Sequence, residues 1–186
     1  MGPIEVVYST IAIMIGLVGV ARGYARELGN TLVIMAGIFL LTFQEALILS
    51  LFSRTGERLL NITGNQTDLL NFFLSTVFTL IFISIVFASY SGRVFAFASF
   101  GGRPAGAPHG VLISLLVGLL NGYLIAGTLW YYQARFDYPL QRFGLIKLPL
   151  TTTGQELETL LPQKIFDSPV YWMVPVAVLL IFLVRG

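Results

Sequence analysis

The sequence contains no cysteine and one histidine, His109. The first absence excludes disulfides, thiolate metal sites, thiol nucleophiles and cysteine-linked lipid anchors. A lone histidine with no neighbouring acid cannot build a metal site, so His109 reads as an interfacial polar residue. Charge is also scarce. Asp, Glu, Lys and Arg make up 11% of the 186 residues, where soluble domains carry roughly 25%. The net charge of +2 comes with no basic block, which gives no argument for nucleic acid. There is no HExxH and no catalytic dyad. The glycine- and proline-rich stretch 101–108 lacks the Gly-Lys-Ser/Thr ending of a phosphate loop. The expectation is therefore a protein that is not an enzyme, with no catalytic, cofactor-binding or metal-binding residues and no cofactor.

Apolar residues, by contrast, make up 56% of the chain. They fall in runs over 4–20, 31–52, 69–90, 110–132 and 170–184. Most approach or exceed the length that a soluble core needs, and crossing a bilayer takes roughly 20 such residues. The fold class expected is an all-α integral membrane protein with five transmembrane helices, or four if 170–184 lies in the interface. A short interfacial or re-entrant piece, 94–100, sits between helices three and four. The organisation is a four-helix membrane unit over 1–132, an extramembrane loop with a short helix over 133–169, and a C-terminal span over 170–186. The last run is short and holds Pro175, which predicts a kink. Tyr171 and Trp172 are expected at one interface and Arg185 snorkelling at the other. The first run lacks a basic n-region and a small-residue cleavage site, so it reads as a retained span.

Arg22-Gly23-Tyr24-Ala25-Arg26-Glu27-Leu28 separates the first two runs and reads as the turn of a transmembrane hairpin. Within the second run stand Gln44 and Glu45. If Thr31 is near one surface, Glu45 lies about 21 Å along the axis, past the middle of a ~30 Å core. An ionisable residue there is a functional hypothesis, here a proton or ion pathway. The alternatives are a hydrogen-bonded acid with a structural task, or a tilted span that leaves Glu45 near the headgroups. Gly118 and Gly122 form a GxxxG pattern in the fourth run, with Gly110 before and Gly127 after, and Gly16 and Gly19 give the first run a small-residue stripe of its own. In lipid, such faces let helices approach closely, within the chain or between copies. Asn121, between the two glycines, is expected to bond across a helix pair. Trp130, Tyr131 and Tyr132 read as an aromatic belt.

The loop 53–68 is polar, contains two glycosylation sequons by pattern, and could hold a short interfacial helix over 56–62. In the loop 133–167, residues 155–161 read as a short helix. Glu156 and Glu158 point to different faces of it and make no acid/base pair. The hinge, the 91–109 loop and the C-terminus hold Arg22, Arg26, Arg93, Arg103 and Arg185 against one acid, Glu27. The other side holds six basic residues and seven acids. The arginine bias places the hinge in the cytoplasm and the N-terminus outside.

The hairpin motif at 22–28 resembles the opening of the CvpA family, the colicin V production proteins, which shows an Arg-Gly-Phe-x-Arg-Glu hairpin there. Tyr24 takes the place of the aromatic. Arg93-Val94 and the Gly118–Gly122 pattern stand in for the region after the third span. Asn121 sits where an arginine is usual, and an Asp-Arg step before the glycines is absent. The resemblance covers roughly 4–132. It implies a bacterial inner-membrane protein tied to colicin export and envelope upkeep, acting through membrane protein partners, with Arg22, Gly23, Tyr24, Arg26 and Glu27 as its motif. Apart from the resemblance, Glu27 is placed to pair with Arg22 or Arg93 in an exposed ion pair that closes the cytoplasmic end, worth about 0–1 kcal/mol. Two other readings stand beside the resemblance: an accessory subunit of a larger, even bioenergetic, membrane complex, and a small proton- or ion-coupled transporter using Glu45. The partners expected are the lipid bilayer and other proteins, with a homo-oligomer as one arrangement and nucleic acid excluded.

Overall fold

In the computed structural model the chain is described over residues 3–59, 67–91 and 108–185. Every regular element there is helical. The piece expected at 94–100, the glycine-proline stretch, Arg93, Arg103, the side chains of His109 and Arg185 and most of 56–62 lie outside the described residues or side chains.

The apolar runs become α1 (Ile4–Arg22), α2 (Tyr24–Phe43), α4 (Thr67–Tyr90) and α5 (Pro108–Arg135). All four are long and apolar enough to cross a membrane. Between α2 and α4 lies α3 (Glu45–Leu59); after α5 come α6 (Thr152–Thr159), α7 (Pro162–Ile165) and α8 (Pro169–Arg185). At 17 residues, α8 is shorter than the four long helices.

Two boundaries differ from the sequence expectation. The hairpin turn is one residue. Gly23 has φ 86° and ψ 148°, a conformation that glycine adopts without a Cβ clash. Its N–H closes α1 on the Gly19 carbonyl at 2.9 Å, and its carbonyl accepts from Glu27 N–H at 3.2 Å. The second difference is at 31–52, which is not one helix, and its second piece runs on through 53–59, read from sequence as the start of a polar loop. The run breaks at Gln44 (φ −96°, ψ 7°), and α3 after it packs on α4. Gln44 and Glu45 thus stand at the junction of two helices and not within one.

The side-chain pairings fix the directions. Gly19 meets Gly118 and Gly122 meets Ala12, so α1 and α5 run antiparallel. Glu27 bonds Asn121 while Glu45 bonds Arg135, so α2 and α5 run parallel. Ser89 reaches Asn30 and Asn71 reaches Asp137, so α4 runs against both. Helix α2 is central and packs on α4, α5 and α8. The α1–α5 seam is close because it is built from glycines: a Cβ on Gly19 would lie 2.7 Å from the Gly118 Cα. The main core joins Ile34, Ile38 and Leu41 to Phe78, Phe82, Leu124 and Trp172.

The aromatic expectation is corrected here. Trp130, Tyr132 and Trp172 are buried. Tyr132 stacks on Phe78 with centroids 4.9 Å apart, and Trp130 stacks on Tyr8 at 5.5 Å. Large flat side chains remove the most apolar surface when packed against protein, and only Tyr131 of the triplet stays half-exposed.

The segment after α5 does not simply loop outward. A short 3-10 helix (Pro139–Phe143) follows α5, and the chain then doubles back. Pro162 packs on Gly127, Gln163 Nε2 donates to Thr128 Oγ1 at 2.8 Å, and Tyr123 Oη donates to the Leu160 carbonyl. Thr128 is midway between Asn121 and Arg135, so α7 lies against the C-terminal half of α5. Thr151 caps α6 and donates to Glu5, tying this strap to the start of α1.

Candidate functional site

Among the described residues, the largest concentration of buried polar groups surrounds Glu27, in the first turn of α2. Its side chain is fully buried. The one-residue turn at Gly23 brings the end of α1 back over it. There Arg22 Nε donates to Glu27 Oε1 at 2.9 Å. Asn30, one turn on along α2, donates to the same oxygen at 3.1 Å. The other oxygen, Oε2, accepts from Tyr90 Oη at 3.0 Å and from Asn121 Nδ2 at 2.9 Å. One carboxylate therefore ties together the C-terminal end of α1, α2 itself, the end of α4 and the middle of α5.

A second ring of bonds holds the donors. Asn121 Nδ2 also donates to the Glu27 carbonyl at 3.0 Å. The Thr31 hydroxyl lies 2.6 Å from Asn121 Oδ1 and 2.8 Å from the Glu27 carbonyl. Ser89 Oγ donates to Asn30 Oδ1 at 2.9 Å. Arg22 Nη1 donates to the Tyr90 carbonyl at 3.3 Å, and its guanidinium lies 4.9 Å from the Tyr90 ring centroid. The Arg22 side chain is 29% exposed, so the ion pair reaches water on one side. Both carboxylate oxygens and both amide groups are satisfied within the cluster, which suits a fixed joint. Turnover would need a group left free to change partners.

Of the hairpin residues singled out from sequence, Arg22, Gly23 and Glu27 form this joint. Tyr24 is half-buried and Arg26 is exposed. The pair expected at the surface is instead anchored on a buried acid, because α4 and α5 close over it. Asn121 does bond across a helix pair. Gly118 and Gly122 pack within the chain, on Gly16, Gly19 and Ala12 of α1. Asn30, Thr31, Ser89 and Tyr90 were not singled out. A signal existed in the run of polar residues Asn30-Thr31 three and four positions after Glu27, on its helix face.

Glu45 stands elsewhere. It begins α3 and accepts from Arg135 Nε at 3.0 Å, with the two side chains 24% and 47% exposed. Gln44 is half-buried at the break. Along α5, Arg135 lies fourteen residues from Asn121, about 21 Å, so Glu45 and Glu27 mark opposite ends of the bundle. At the Glu45 end an open cleft of about 750 Å³ is lined by Asp68, Asn71, Asp137, Tyr138 and Arg142 among others. Among the described residues no group of three His, Cys, Asp or Glu could hold a metal ion. In comparisons with known proteins, no family model, no curated protein and no solved structure matches this chain.

Proposed function

We propose that this chain is a CvpA-like multi-span protein of the bacterial cytoplasmic membrane that assists export or envelope maintenance through protein partners, without catalysis of its own. The observation that supports this is the Glu27 joint. The Arg22–Glu27 motif that carries the resemblance is the place where four helices are locked, by a carboxylate with four side-chain donors. A motif used this way sets the shape of one end of the bundle. It leaves Arg26 exposed beside it, available to a partner. Asn121, in place of the family's usual arginine, supplies a neutral donor, and Arg22 supplies the positive charge.

In this reading the hinge faces the cytoplasm and the N-terminus lies outside, following the arginine bias. Helix α8 is the fifth span. The transporter alternative has less support, because a coupling carboxylate needs freedom to exchange protons or ions and Glu45 has Arg135 as a fixed counter-ion. Glu45→Gln is expected to leave ion flux into proteoliposomes unchanged.

The test is gentle-detergent purification from native membranes with mass spectrometry of accompanying chains, paired with complementation of a deletion strain. The expected result is a chain that runs alone or as a homo-oligomer with variable partners. Arg26→Ala is expected to fold normally but fail to restore envelope integrity. A fixed set of partners at constant ratio would replace this reading with an accessory subunit of a larger complex.

A further inference from the structure

Among the described elements, helix α3 (15 residues) follows the rules of a membrane surface and not of a span. Its level can be read from its contacts. At one end Glu45 bonds Arg135, close to where Asn71 of α4 meets Asp137. At the other end Gly56 packs on Phe73 and Leu70 of α4. Both ends of α3 therefore sit at the same level of α4. Eleven residues of helix, about 16 Å, separate Glu45 from Gly56, so α3 lies across the bundle end. Helix α2 before it has 20 residues, about 30 Å, the thickness of a bilayer's hydrocarbon core. The break at Gln44 thus turns the chain sideways where the hydrocarbon ends.

The side chains of α3 divide accordingly. Ile48, Leu49 and Phe52 pack on the core. Leu47, Leu51, Arg54 and Arg58 follow a spacing of four, three and four, which gathers them on one stripe. Leu47 and Leu51 are 52% and 57% exposed, and both arginines are exposed. A cleft of about 330 Å³ opens along this stripe, lined by Ser50, Leu51, Arg54, Thr55 and Arg58. Neither arginine has an ion-pair partner among the described residues. The remaining residues, including 60–66 and 92–107, contain no acid that could supply one. The neighbouring acid, Glu57, does not line the cleft.

We infer that α3 is a binding site for an anionic phospholipid. The phosphodiester is held by Arg54 and Arg58, and the first part of the acyl chain runs over Leu47 and Leu51. The charge complementarity is direct: two guanidinium groups one turn apart present forked donors to phosphate oxygens. The adjoining leucines supply an apolar surface that a free phosphate cannot use. Arginines on the polar side of a surface helix beside exposed leucines are the arrangement by which amphipathic helices hold anionic lipid. The site rests on the membrane placement of the chain and is independent of its CvpA-like reading.

The experiment uses the purified full chain in an uncharged detergent. Equal amounts of phosphatidylglycerol and phosphatidylcholine are added, and retained lipid is read by native mass spectrometry. Wild type is expected to retain phosphatidylglycerol preferentially. In R54Q/R58Q that preference falls on the order of tenfold. A control, R142Q/K147Q, removes the same charge from exposed positions elsewhere and keeps the preference. Equal retention of both lipids by wild type, or an unchanged preference in R54Q/R58Q, overturns the site. So does displacement of the lipid by millimolar inorganic phosphate, which would assign the arginines to a free anion. Alkaline carbonate extraction of native membranes separates the two levels of failure. A chain released by carbonate refutes the membrane placement itself, whereas a retained chain without lipid preference refutes the lipid site alone.

Discussion

Glu27 shows why a charged residue is kept where it cannot reach water. Removing a buried charge from water is costly, and a single counter-ion seldom compensates. Here four donors surround the carboxylate, so its loss would take an acceptor from each of Arg22, Asn30, Tyr90 and Asn121. Breaking one side of a buried pair costs about 3–5 kcal/mol. Glu27→Gln should fall at the lower end, because Arg22 retains contact with water. Unfolding in mild detergent by added SDS measures this, and a loss below about 1 kcal/mol would mark the pair as surface-like. In a double-mutant cycle, Glu27→Gln and Asn121→Leu are expected to couple by about 0.5–3 kcal/mol. Strict additivity would deny the shared network.

Glu158 on the strap makes a different prediction. Burial raises its carboxyl, but hydrogen bonds from Lys164 and Tyr138 and the Lys164 charge outweigh that and hold it below the ordinary 4.5. A depressed carboxyl contributes stability above its unfolded value, and that contribution disappears as pH falls through the folded value. The strap should therefore loosen below about pH 4.5. Limited proteolysis of the 144–168 region across pH reads this out. Glu158→Gln should remove that part of the acid response, and an unchanged profile in the variant would assign it to other acids.

At the scale of elements, the α1–α5 seam depends on missing side chains. A Cβ on Gly118 would stand 2.8 Å from the Gly16 carbonyl oxygen, which is backbone and cannot rotate away. Gly118→Ala is thus expected to destabilise by about 1–3 kcal/mol, the usual cost of overpacking. A neutral or stabilising result from the same SDS titration would show that the helices can separate freely. The break at Gln44 is the other decision at this scale. Hydropathy treats residues 31–52 as one run interrupted by Gln44 and Glu45, polar residues that by themselves do not distinguish a break from a polar site inside one helix. The break occurs because α3 has a packing surface on α4, reached only by turning at the end of α2.

At the scale of the whole molecule, the strap over α6 and α7 turns an apparent loop into part of the bundle. Its backbone is covered by protein there, since Pro162 and Gln163 are buried on α5. The chain has no cysteine, so an introduced pair is unique. Thr128→Cys with Gln163→Cys is expected to be bridged by a short bifunctional thiol reagent, since the native Gln163 side chain spans that gap and puts its Nε2 2.8 Å from Thr128 Oγ1. Failure to cross-link, with a folded protein, would place the strap away from α5.

The four long helices, the scarcity of charge and the hairpin between the first two runs were legible from residues alone. Hydropathy is a sum over neighbours in sequence, and roughly 20 apolar residues demand a helix in lipid whatever surrounds them. Glycine at 23 likewise announced the turn, though not that the turn is a single residue. What required the folded chain was the use made of the polar residues. Glu27 is buried because Asn121, 94 residues away, and Tyr90, 63 away, converge on it. Glu45 lies at a helix junction because Arg135 waits there, and Trp130 and Trp172 face protein because partners cover them. Whether a polar or aromatic side chain is buried is a property of its distant partners, and no window along the chain contains them.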